Sequence, residues 1–351
     1  MIPVTDYDLP TDVAHQAGEE LLSQGKIGCL ILAGGQGSRL GAIHPKALTS
    51  ITPIRKRTLL QIFCEKGAAA AIAYGSSLPI AVMTSSENHE MIEAYLKQNN
   101  NFGVSNLSLF QQHNTPFLTE DRQGQFGEGS NGNGEALHLL SEYGIVEKWK
   151  KQGIEYVMVL PIDNPLANPF DATLCGIHRL QKNEATIKAI LRTDPSEKVG
   201  VVVKKEGKIA VQEYSELPVN FEAPIAHIGL FCFSLSWIEK IQGCELPWHF
   251  AHKKHHEQMV WKPEKFLFDV LPFADKVGIV VYPRDETYAP LKNATGDKSL
   301  ATVQEALHNF DRKLLKRLTD EPLPDYFELD PSIYYLRDRP QKISNYILEM
   351  S

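Results

Sequence analysis

LILAGGQGSRLG, at residues 30–41, is the stretch that decides the fold class of this chain of 351 residues. Aliphatic residues typical of a buried strand run directly into a glycine-rich loop, and the residues from Ser38 to Leu40 could begin a helix. Because glycine has no Cβ, the loop can adopt positive φ and bring its backbone N–H groups close to an anion. Arg39 and Lys46 add two cations beside the loop. The stretch therefore predicts a site for a triphosphate or pyrophosphate, and the alternative is a glycine-rich turn with two solvated cations.

The glycine spacing excludes two common nucleotide-binding motifs. A Walker loop requires G-x-x-x-x-G-K-[ST], whereas Lys46 follows Pro45. A dinucleotide fingerprint requires G-x-G-x-x-G, and after Gly35 and Gly37 the next glycine is Gly41, one position too late. The spacing therefore argues against an NAD-dependent dehydrogenase.

Segments typical of helices and strands alternate along the first half of the chain. Helices are predicted over residues 11–24, 58–73 (interrupted at Gly67) and 88–98, and strands over 30–32, 79–84, 107–110 and 156–160. This alternation predicts an α/β fold, with a Rossmann-like, mixed and mostly parallel sheet and helices on both faces. Because parallel strands share one carboxyl edge, the loops after Leu32, Thr84 and Phe110 should line a ligand site.

The glycine-rich loop, written G-G-x-G-[ST]-R-L-G-x-x-x-P-K, resembles the signature of UDP-sugar pyrophosphorylases of the eukaryotic type. Within that group it is most similar to the UDP-N-acetylhexosamine pyrophosphorylases. The resemblance implies their nucleotide-diphospho-sugar transferase fold, which is similar to that of GT-A glycosyltransferases. In that family the loop holds the nucleotide triphosphate, which implies nucleotide contacts for Gly34, Gly35 and Gly37. The family's Arg and Lys stabilise the departing pyrophosphate, which implies catalytic roles for Arg39 and Lys46.

Two further stretches are similar to the part of the family that holds uridine. Phe110-Gln111-Gln112 matches F-x-Q, whose Gln contacts uracil, so the resemblance implies that role for Gln112; by itself it would be a surface pair of glutamines. The triplet at 132–134 matches P-D-G-N-G-G in its centre, which implies nucleotide contacts for Gly132 and Asn133. Three neighbours depart from that pattern: Ser130, Asn131 and Glu135.

Asp163 follows the apolar stretch at 156–160, where a carboxylate could hold Mg²⁺ between phosphate oxygens. The alternative is a turn former or a helix cap. Pro165 stands where the D-x-D motif of glycosyltransferases would need its second carboxylate. The pyrophosphorylase family keeps V-D-N here, and the resemblance implies that Asp163 binds Mg²⁺ (or Mn²⁺) and that Asn164 contacts the sugar.

The second half of the chain carries the residues that the resemblance places at the sugar. A hairpin is predicted over 200–213, and it ends in E-Y-S-E, close to the family's V-x-E-Y-S-E, whose first Glu hydrogen-bonds the sugar and corresponds to Glu213. The family's sugar-binding Asn aligns with His227, so the sugar itself stays open. The stretches F-L-F-D at 266–269 and Y-A-P-L-K-N-A-T-G at 288–296 match family motifs, and they imply that Lys292 is a catalytic cation for the transferred phosphate.

A group of histidines between residues 249 and 256 raises the question of a metal site. On a helix, His249 and His252 would share a face, as would His252 and His256. Neither a cysteine nor a carboxylate completes a convincing ligand set, and the neighbouring lysines at 253 and 254 would repel a cation. We therefore expect a solvated or substrate-facing helix.

Composition narrows the functional classes. The net charge is −7 and no basic stripe indicates nucleic acid binding. No apolar run is long enough to predict a membrane span. The five cysteines form no C-x-x-C pair and mostly lie in apolar runs. With no signal-like apolar stretch at the N-terminus, we expect reduced, buried thiols and a cytoplasmic protein.

These motifs predict three segments: a helical N-terminal extension (1–26), a catalytic domain (27–312) and a reduced C-terminal segment (313–351). The resemblance implies a uridylyltransferase that makes UDP-N-acetylglucosamine and pyrophosphate from UTP and N-acetylglucosamine 1-phosphate, as a monomer or weak dimer. One alternative is the same chemistry with glucose 1-phosphate. The other is a non-catalytic UDP-sugar-binding protein, against which the retained cations Arg39, Lys46 and Lys292 argue.

Overall fold

The computed structural model describes residues 1–37, 40–41, 44–218, 221–336 and 343–348. The α-helices are α1 (Asp12–Ser23), α2 (Leu59–Tyr74), α3 (His89–Gln98), α4 (Ala136–Glu142), α5 (Ile145–Lys151), α6 (Ala172–Gln181), α7 (Leu235–Lys240), α8 (Arg284–Thr287) and α9 (Leu300–Leu318). The strands are β1 (Ile2–Pro3), β2 (Ile27–Leu32), β3 (Ile80–Thr84), β4 (Leu107–Gln111), β5 (Asn114–Thr119), β6 (Gln125–Ser130), β7 (Tyr156–Pro161), β8 (Ala185–Leu191), β9 (Val201–Lys205), β10 (Lys208–Gln212), β11 (Ile225–Ser234), β12 (His249–His255), β13 (Gln258–Glu264), β14 (Val277–Val281), β15 (Glu328–Leu329) and β16 (Ile347–Leu348).

The central sheet is mixed, and its first half is parallel. Strand β2 lies between β3 and β7 and is parallel to both, and β4 extends the parallel half beyond β3. Strand β11 joins this half to the rest of the sheet and is antiparallel to β7 and to β8. This mixed sheet confirms the predicted fold class. The hairpin predicted over 200–213 is also confirmed, because β9 and β10 pair as antiparallel neighbours.

Helices cover both faces of the sheet, as the sequence predicts. In β2, Cys29 and Ile31 join a core that includes residues of α1, α2 and α6. Their neighbours Leu30 and Leu32 join a second core with residues of α4, α5 and α7. Because successive strand residues point to opposite faces, a strand covered on both sides is apolar throughout.

Helix α2 is continuous, so the predicted interruption at Gly67 is wrong. Thr58 caps the helix by accepting a hydrogen bond from the backbone N of Gln61 at 3.1 Å. A Cβ at position 67 would lie 2.4 Å from Cδ1 of Ile80 in β3. Glycine is therefore present because α2 packs closely on the sheet.

Helices α1 and α6 touch through their backbones. A Cβ on Gly18 would lie 1.7 Å from the carbonyl oxygen of Ala172, and one on Gly176 would lie 1.7 Å from the carbonyl oxygen of Ala14. Thr11 caps α1, its side chain accepting a hydrogen bond from the backbone N of Ala14. The first helix is thus packed directly against the helix that follows the Asp163 turn.

A smaller antiparallel sheet, in the order β12-β13-β5-β6, carries the histidine group. The expectation of a helix at 249–256 is wrong, because β12 pairs with β13 along its whole length, from His249 opposite Glu264 to His255 opposite Gln258. His256, with φ of 50°, makes the tight turn between the strands. In the part of the chain that the structure describes, no group of three or more His, Cys, Asp or Glu residues could hold a metal ion.

The C-terminal residues up to 336 pack against α2 and the loop that precedes it. The ring of Tyr335 meets that of Tyr74 in α2 edge-on, with 6.4 Å between centroids. The buried carboxylate of Glu328 accepts hydrogen bonds from the backbone N–H groups of Ile54 and Arg55.

Cys29, Cys64, Cys175 and Cys232 are buried free thiols. None of the described helices is long and apolar enough to cross a membrane. The three-segment division stays a prediction.

Candidate active site

A groove follows the carboxyl edge of the parallel strands. It consists of two adjoining cavities of about 1130 and 450 Å³. The two share five lining residues: Leu32, Asn133, Pro161, Glu264 and Phe266. Backbone hydrogen bonds align the strand ends here, from Ala33 N to Met83 O and from Gln112 N to Thr84 O. The loops predicted to share one edge do so.

Gly34 and Gln112 lie in direct contact in the wall of the smaller cavity. A Cβ on Gly34 would lie only 2.6 Å from Nε2 of Gln112, so the amide of the buried glutamine packs against bare backbone. Gly35 lines the same cavity, and a Cβ there would meet nothing within 4 Å. Gly37 has φ of 70°, which favours glycine. The structure therefore brings these predicted nucleotide-binding residues together at one end of the groove.

Gly132 and Asn133 line the groove and contact the segment that follows β13. Gly132 has φ of 88°, and a Cβ there would lie 2.3 Å from the carbonyl oxygen of Lys265. The side-chain oxygen of Asn133 accepts a hydrogen bond from Leu267 N at 3.0 Å. Asn133 therefore fixes the position of the F-L-F-D segment while it lines the groove.

Asn131 and Glu135, which depart from the family pattern, belong to one hydrogen-bond network. Glu135 accepts hydrogen bonds from Nζ of Lys265 at 2.8 Å and from Nδ2 of Asn131 at 2.7 Å. Although burial raises the pKa of Glu135, hydrogen bonds from Lys265, Asn131 and His113 outweigh it and lower the pKa to about 2. The ionised carboxylate holds the loop in place.

Lys46 forms an ion pair with Asp163, which lines the larger cavity. The ammonium Nζ of Lys46 lies 3.4 Å from Oδ2 of Asp163, and each side chain keeps 17% of its surface exposed. Lys46 begins a short 3₁₀ turn after Pro45, and Asp163 lies beyond the end of β7. Arg39, the other predicted pyrophosphate ligand, lies outside the described residues.

The turn at Asp163 is tied to the loop that carries Lys292. The backbone oxygen of Asp163 accepts a hydrogen bond from Leu291 N at 2.8 Å. Asn164 is fully buried; its Nδ2 donates to Thr287 O at 2.8 Å and its Oδ1 accepts from Ala289 N at 3.0 Å. The expected sugar contact of Asn164 is corrected, because its amide is engaged by backbone behind the groove wall.

His227, Glu213 and Lys292 line the larger cavity together. The His227 ring packs 4.9 Å from the ring of Phe231 and 5.7 Å from that of Phe268. Burial, with the charge of Lys292, lowers the pKa of His227 to about 3, and its Nε2 has no hydrogen-bond partner among the described residues. The side chain is a neutral ring with an unused nitrogen.

A bulge in β11 places His227 at the cavity. The pairing with β8 shifts between His227 and Leu230, and Gly229 has φ of 80° with its backbone against Pro161. Bulges redirect side chains and favour glycine at such positions. Gly229, in the interior of this apolar strand, is the sequence signal that could have revealed the bend.

Glu213 and Asp269 are carboxylates with raised pKa values. Burial raises the pKa of Glu213, and the nearby charge of Glu216 adds to the shift, whereas Lys292 opposes it. Burial also raises the pKa of Asp269 against the hydrogen bond from His249, whose Nε2 lies 2.8 Å from Oδ2. His249 also lines the larger cavity. The expectation of a helix over residues 249–256 did not predict this position.

Two cations that the sequence analysis assigned to no site line the smaller cavity. Lys253 of β12 lies with its Nζ 4.3 Å from the centre of the Phe117 ring. Lys262 of β13 reaches Oγ of Ser130 at 3.4 Å and Oε1 of Glu264 at 2.7 Å. Both lysines face the groove from strands. The sequence signal for them would have been the alternation of side chains between the two faces of a strand, with a period of two residues.

Comparison with known proteins gives consistent matches. A family model described as UTP–glucose-1-phosphate uridylyltransferase matches residues 4–233, from the N-terminal segment through most of β11. A probable UDP-N-acetylglucosamine pyrophosphorylase of Dictyostelium discoideum is 31% identical over 326 residues, which is 80% of this chain and 67% of that protein. UDP-N-acetylglucosamine diphosphorylase 1 of Arabidopsis thaliana is 30% identical, and the match covers 80% of this chain and 63% of the relative.

The fold is also similar to a solved structure along nearly its whole length. A crystal structure assigned to a UDP-N-acetylglucosamine pyrophosphorylase from Entamoeba histolytica aligns with a TM-score of 0.84 and 28% identity. The alignment covers 97% of both chains. This similarity extends through the C-terminal residues, beyond the range of the family model.

Proposed function

The chain belongs to the UTP–glucose-1-phosphate uridylyltransferase family, and on that premise we propose that it makes UDP-N-acetylglucosamine and pyrophosphate from UTP and N-acetylglucosamine 1-phosphate. The Dictyostelium and Arabidopsis relatives are both named for UDP-N-acetylglucosamine. The observation that carries the proposal is the ion pair of Lys46 with Asp163, 3.4 Å apart. Asp163 lines the larger cavity of the groove together with Glu213 and His227, and the uridine-side glycines Gly34 and Gly35 line the smaller one.

The reaction makes limited chemical demands on the protein. A phosphate oxygen of the sugar 1-phosphate attacks the α-phosphorus of UTP, and the bond from that phosphorus to the pyrophosphate oxygen breaks. Because the attacking oxygen is already anionic, no general base is required. The protein must align the two phosphates in line and neutralise the charge on the leaving pyrophosphate.

We assign this neutralisation to three cations. Lys46 lies beside the glycine-rich loop, so its ammonium group is placed for the pyrophosphate, and the motif gives Arg39 the same role. Lys292 lines the larger cavity together with Glu213 and His227, at the sugar end of the groove. It is therefore assigned to the phosphate being transferred.

Asp163 is the residue assigned to a divalent cation. Mg²⁺ is commonly bound through one or two carboxylates, with substrate phosphates and water as further ligands. Asp163 fits this donor set because its carboxylate is partly exposed in the groove wall. When bound, Mg²⁺ or Mn²⁺ would neutralise negative charge on the substrate phosphates.

The two ends of the groove are assigned to the two substrates. Gly34, Gly35 and Gln112 are placed for uridine, since an amide against bare backbone can donate and accept at the edge of a flat base. Glu213 is placed to accept a hydrogen bond from a sugar hydroxyl. His227, being neutral, can donate or accept one hydrogen bond through Nε2, depending on its tautomer.

Glucose 1-phosphate is the second candidate substrate, because the matching family model is described by that sugar. The two sugars differ by a 2-acetamido group. The aromatic wall of Phe231, Phe268 and the His227 ring offers apolar surface for the acetyl methyl group, which favours the N-acetylated sugar.

The deciding experiment is pyrophosphate release from UTP and Mg²⁺ with four sugar 1-phosphates: glucose, galactose, N-acetylglucosamine and N-acetylgalactosamine. We expect turnover with N-acetylglucosamine 1-phosphate. Turnover with glucose 1-phosphate alone would establish the second candidate. Binding of UTP without pyrophosphate release from any of the four would indicate a UDP-sugar-binding protein instead. Omitting Mg²⁺ should abolish turnover, and analytical ultracentrifugation would test the expected monomer or weak dimer.

A further inference from the structure

A buried lysine lies behind the Asp163 turn, on the side away from the groove. Lys66 projects from α2 and is only 4% exposed. Its Nζ donates hydrogen bonds to the carbonyl oxygens of Pro165 at 2.8 Å and Ala167 at 3.2 Å. These carbonyls belong to residues two and four positions after Asp163. Lys66 therefore hydrogen-bonds to the turn that carries the Asp163 carboxylate.

The same lysine is in contact with the C-terminal segment. Its Nζ lies 4.8 Å from the centre of the Tyr334 ring, within the range of a cation–π contact. The Tyr334 hydroxyl donates a hydrogen bond to Oδ1 of the buried Asp311 in α9, at 2.7 Å. A small cavity of about 310 Å³, lined by Lys66, Asp311 and Tyr334, separates α2 from α9.

The neighbouring tyrosine holds the same turn directly. The Tyr335 hydroxyl donates to the side-chain oxygen of Asn168, and that oxygen also accepts from Phe170 N at 3.0 Å. The stretch from Asp163 to Phe170 is thus held by Lys66 of α2 and by Tyr335, and Tyr334 reaches it only through Lys66.

On its other side, the turn is bonded to the loop of Lys292. Leu291 N donates to the backbone oxygen of Asp163, and the Asn164 amide bridges Thr287 and Ala289. A shift of the turn would therefore move both the Asp163 carboxylate and the Lys292 cation. A buried ammonium that donates to backbone is costly to leave unpaired, so these contacts persist together.

We propose that Lys66 is a positioning residue for nucleotidyl transfer, which sets the Asp163 turn and makes its position depend on Tyr334 and Tyr335 of the C-terminal segment. This inference rests on the proposed role of Asp163 as the Mg²⁺ ligand. It gives the C-terminal segment a part in the reaction, although none of its tyrosines reaches the groove among the described residues.

The test compares the Mg²⁺ dependence of pyrophosphate release in matched variants of the full chain. Lys66→Met keeps the length of the side chain and removes the ammonium group, whereas Lys66→Arg keeps a donor. We expect Lys66→Met to raise the half-saturating Mg²⁺ concentration roughly tenfold or more, as loss of groups that support a metal ligand commonly does. Lys66→Arg should recover most of the loss.

Tyr335→Phe tests the C-terminal part of the proposal and serves if Lys66→Met does not fold. It removes one hydroxyl and keeps the ring against Tyr74, so we expect a smaller rise in the Mg²⁺ requirement in a protein that stays folded by circular dichroism. Tyr326→Phe is the control, because Tyr326 is 45% exposed and lies on another wall of the cavity. It should leave the Mg²⁺ titration unchanged.

Asp163→Asn separates failure of this inference from failure of the proposed function. If Asp163→Asn titrates with Mg²⁺ as the unchanged chain does, the metal role of Asp163 is wrong. If Asp163→Asn loses turnover while folded Lys66→Met and Tyr335→Phe keep the original Mg²⁺ requirement, the positioning role is overturned and the proposed function stands.

Discussion

The two ends of the groove are built differently. At the uridine end, the predicted residues follow parallel strands: Gly34 after β2 and Gln112 after β4. Asp163, after the parallel strand β7, lines the larger cavity. At the sugar end, His227 and His249 lie within strands, and Glu213 ends a hairpin. Loops after parallel strands accept changes without disturbing the sheet, whereas residues inside strands are fixed by pairing and bulges.

The electrostatics of the two ends also differ. The uridine and phosphate end carries partly exposed charges, with Lys46 and Asp163 as an ion pair. The sugar end combines a neutral His227, a Glu213 whose pKa is raised by burial, and the cation Lys292. We propose that Lys46 and Lys292 neutralise phosphate charge from either side, and that His227 and Glu213 distinguish sugars by hydrogen bonds.

The largest effect should come from removing a phosphate-side cation. Lys46→Ala should lower turnover roughly 10²–10³-fold, because it removes a charge that stabilises the leaving pyrophosphate. Arg39→Ala should have an effect of the same order. Pyrophosphate release is the measurement, and circular dichroism is the control for folding. Near-normal turnover in both variants would refute the cation assignment and with it the contrast between the ends.

A smaller effect should come from crowding the uridine end. Gly34→Ala puts a methyl group about 2.6 Å from the Gln112 amide, and a misfit costing about 1–3 kcal/mol corresponds to roughly 5–150-fold in the KM for UTP. Gly35→Ala is the matched comparison, because its added Cβ meets nothing within 4 Å. Equal KM changes in the two variants would show that the Gln112 contact is not the cause.

A change at the sugar end should alter preference more than rate. His227→Asn installs the residue that the family pattern expects, and we predict a roughly tenfold change in the ratio of kcat/KM for N-acetylglucosamine 1-phosphate over glucose 1-phosphate. The KM for UTP is the internal control and should stay the same. An unchanged sugar ratio would mean that His227 does not face the sugar.

The smallest predicted effect is in the pH dependence of sugar binding. Because the pKa of Glu213 is raised, acidification should protonate it at a higher pH than an ordinary glutamate and increase the KM for the sugar 1-phosphate. His227, with a pKa of about 3, stays neutral near physiological pH and should add no inflection. Glu213→Gln should remove the acid rise in KM; if the rise persists, another group causes it.

The residues that sequence reasoning located correctly are those with a local cause. The apolar run of β2 and the glycines after it indicate a strand and an open loop, and parallel topology then brings Gln112 to the same edge. Asn164 could not be placed in this way, because its partners Thr287 and Ala289 lie more than a hundred residues later. Its amide completes a contact that no local pattern encodes.

The errors also have a physical cause in tertiary context. His249 and its neighbours have a spacing compatible with one helical face, yet β13 imposes a strand through pairing across a tight turn. Gly67 resembles a helix breaker locally, and its actual role depends on Ile80 in another element. In both cases a neighbouring element overrides a weak local preference.

The contact between Gly18 and Gly176 bears on how this protein can be shortened or labelled. Because α1 lies against bare backbone of α6, deleting the first 26 residues would uncover the apolar surface of the helix that follows the Asp163 turn. A truncated preparation that lost activity would then report a damaged scaffold and carry no information about catalysis. An affinity tag joined before Met1 leaves this helix pair intact and is the safer choice for the assays above.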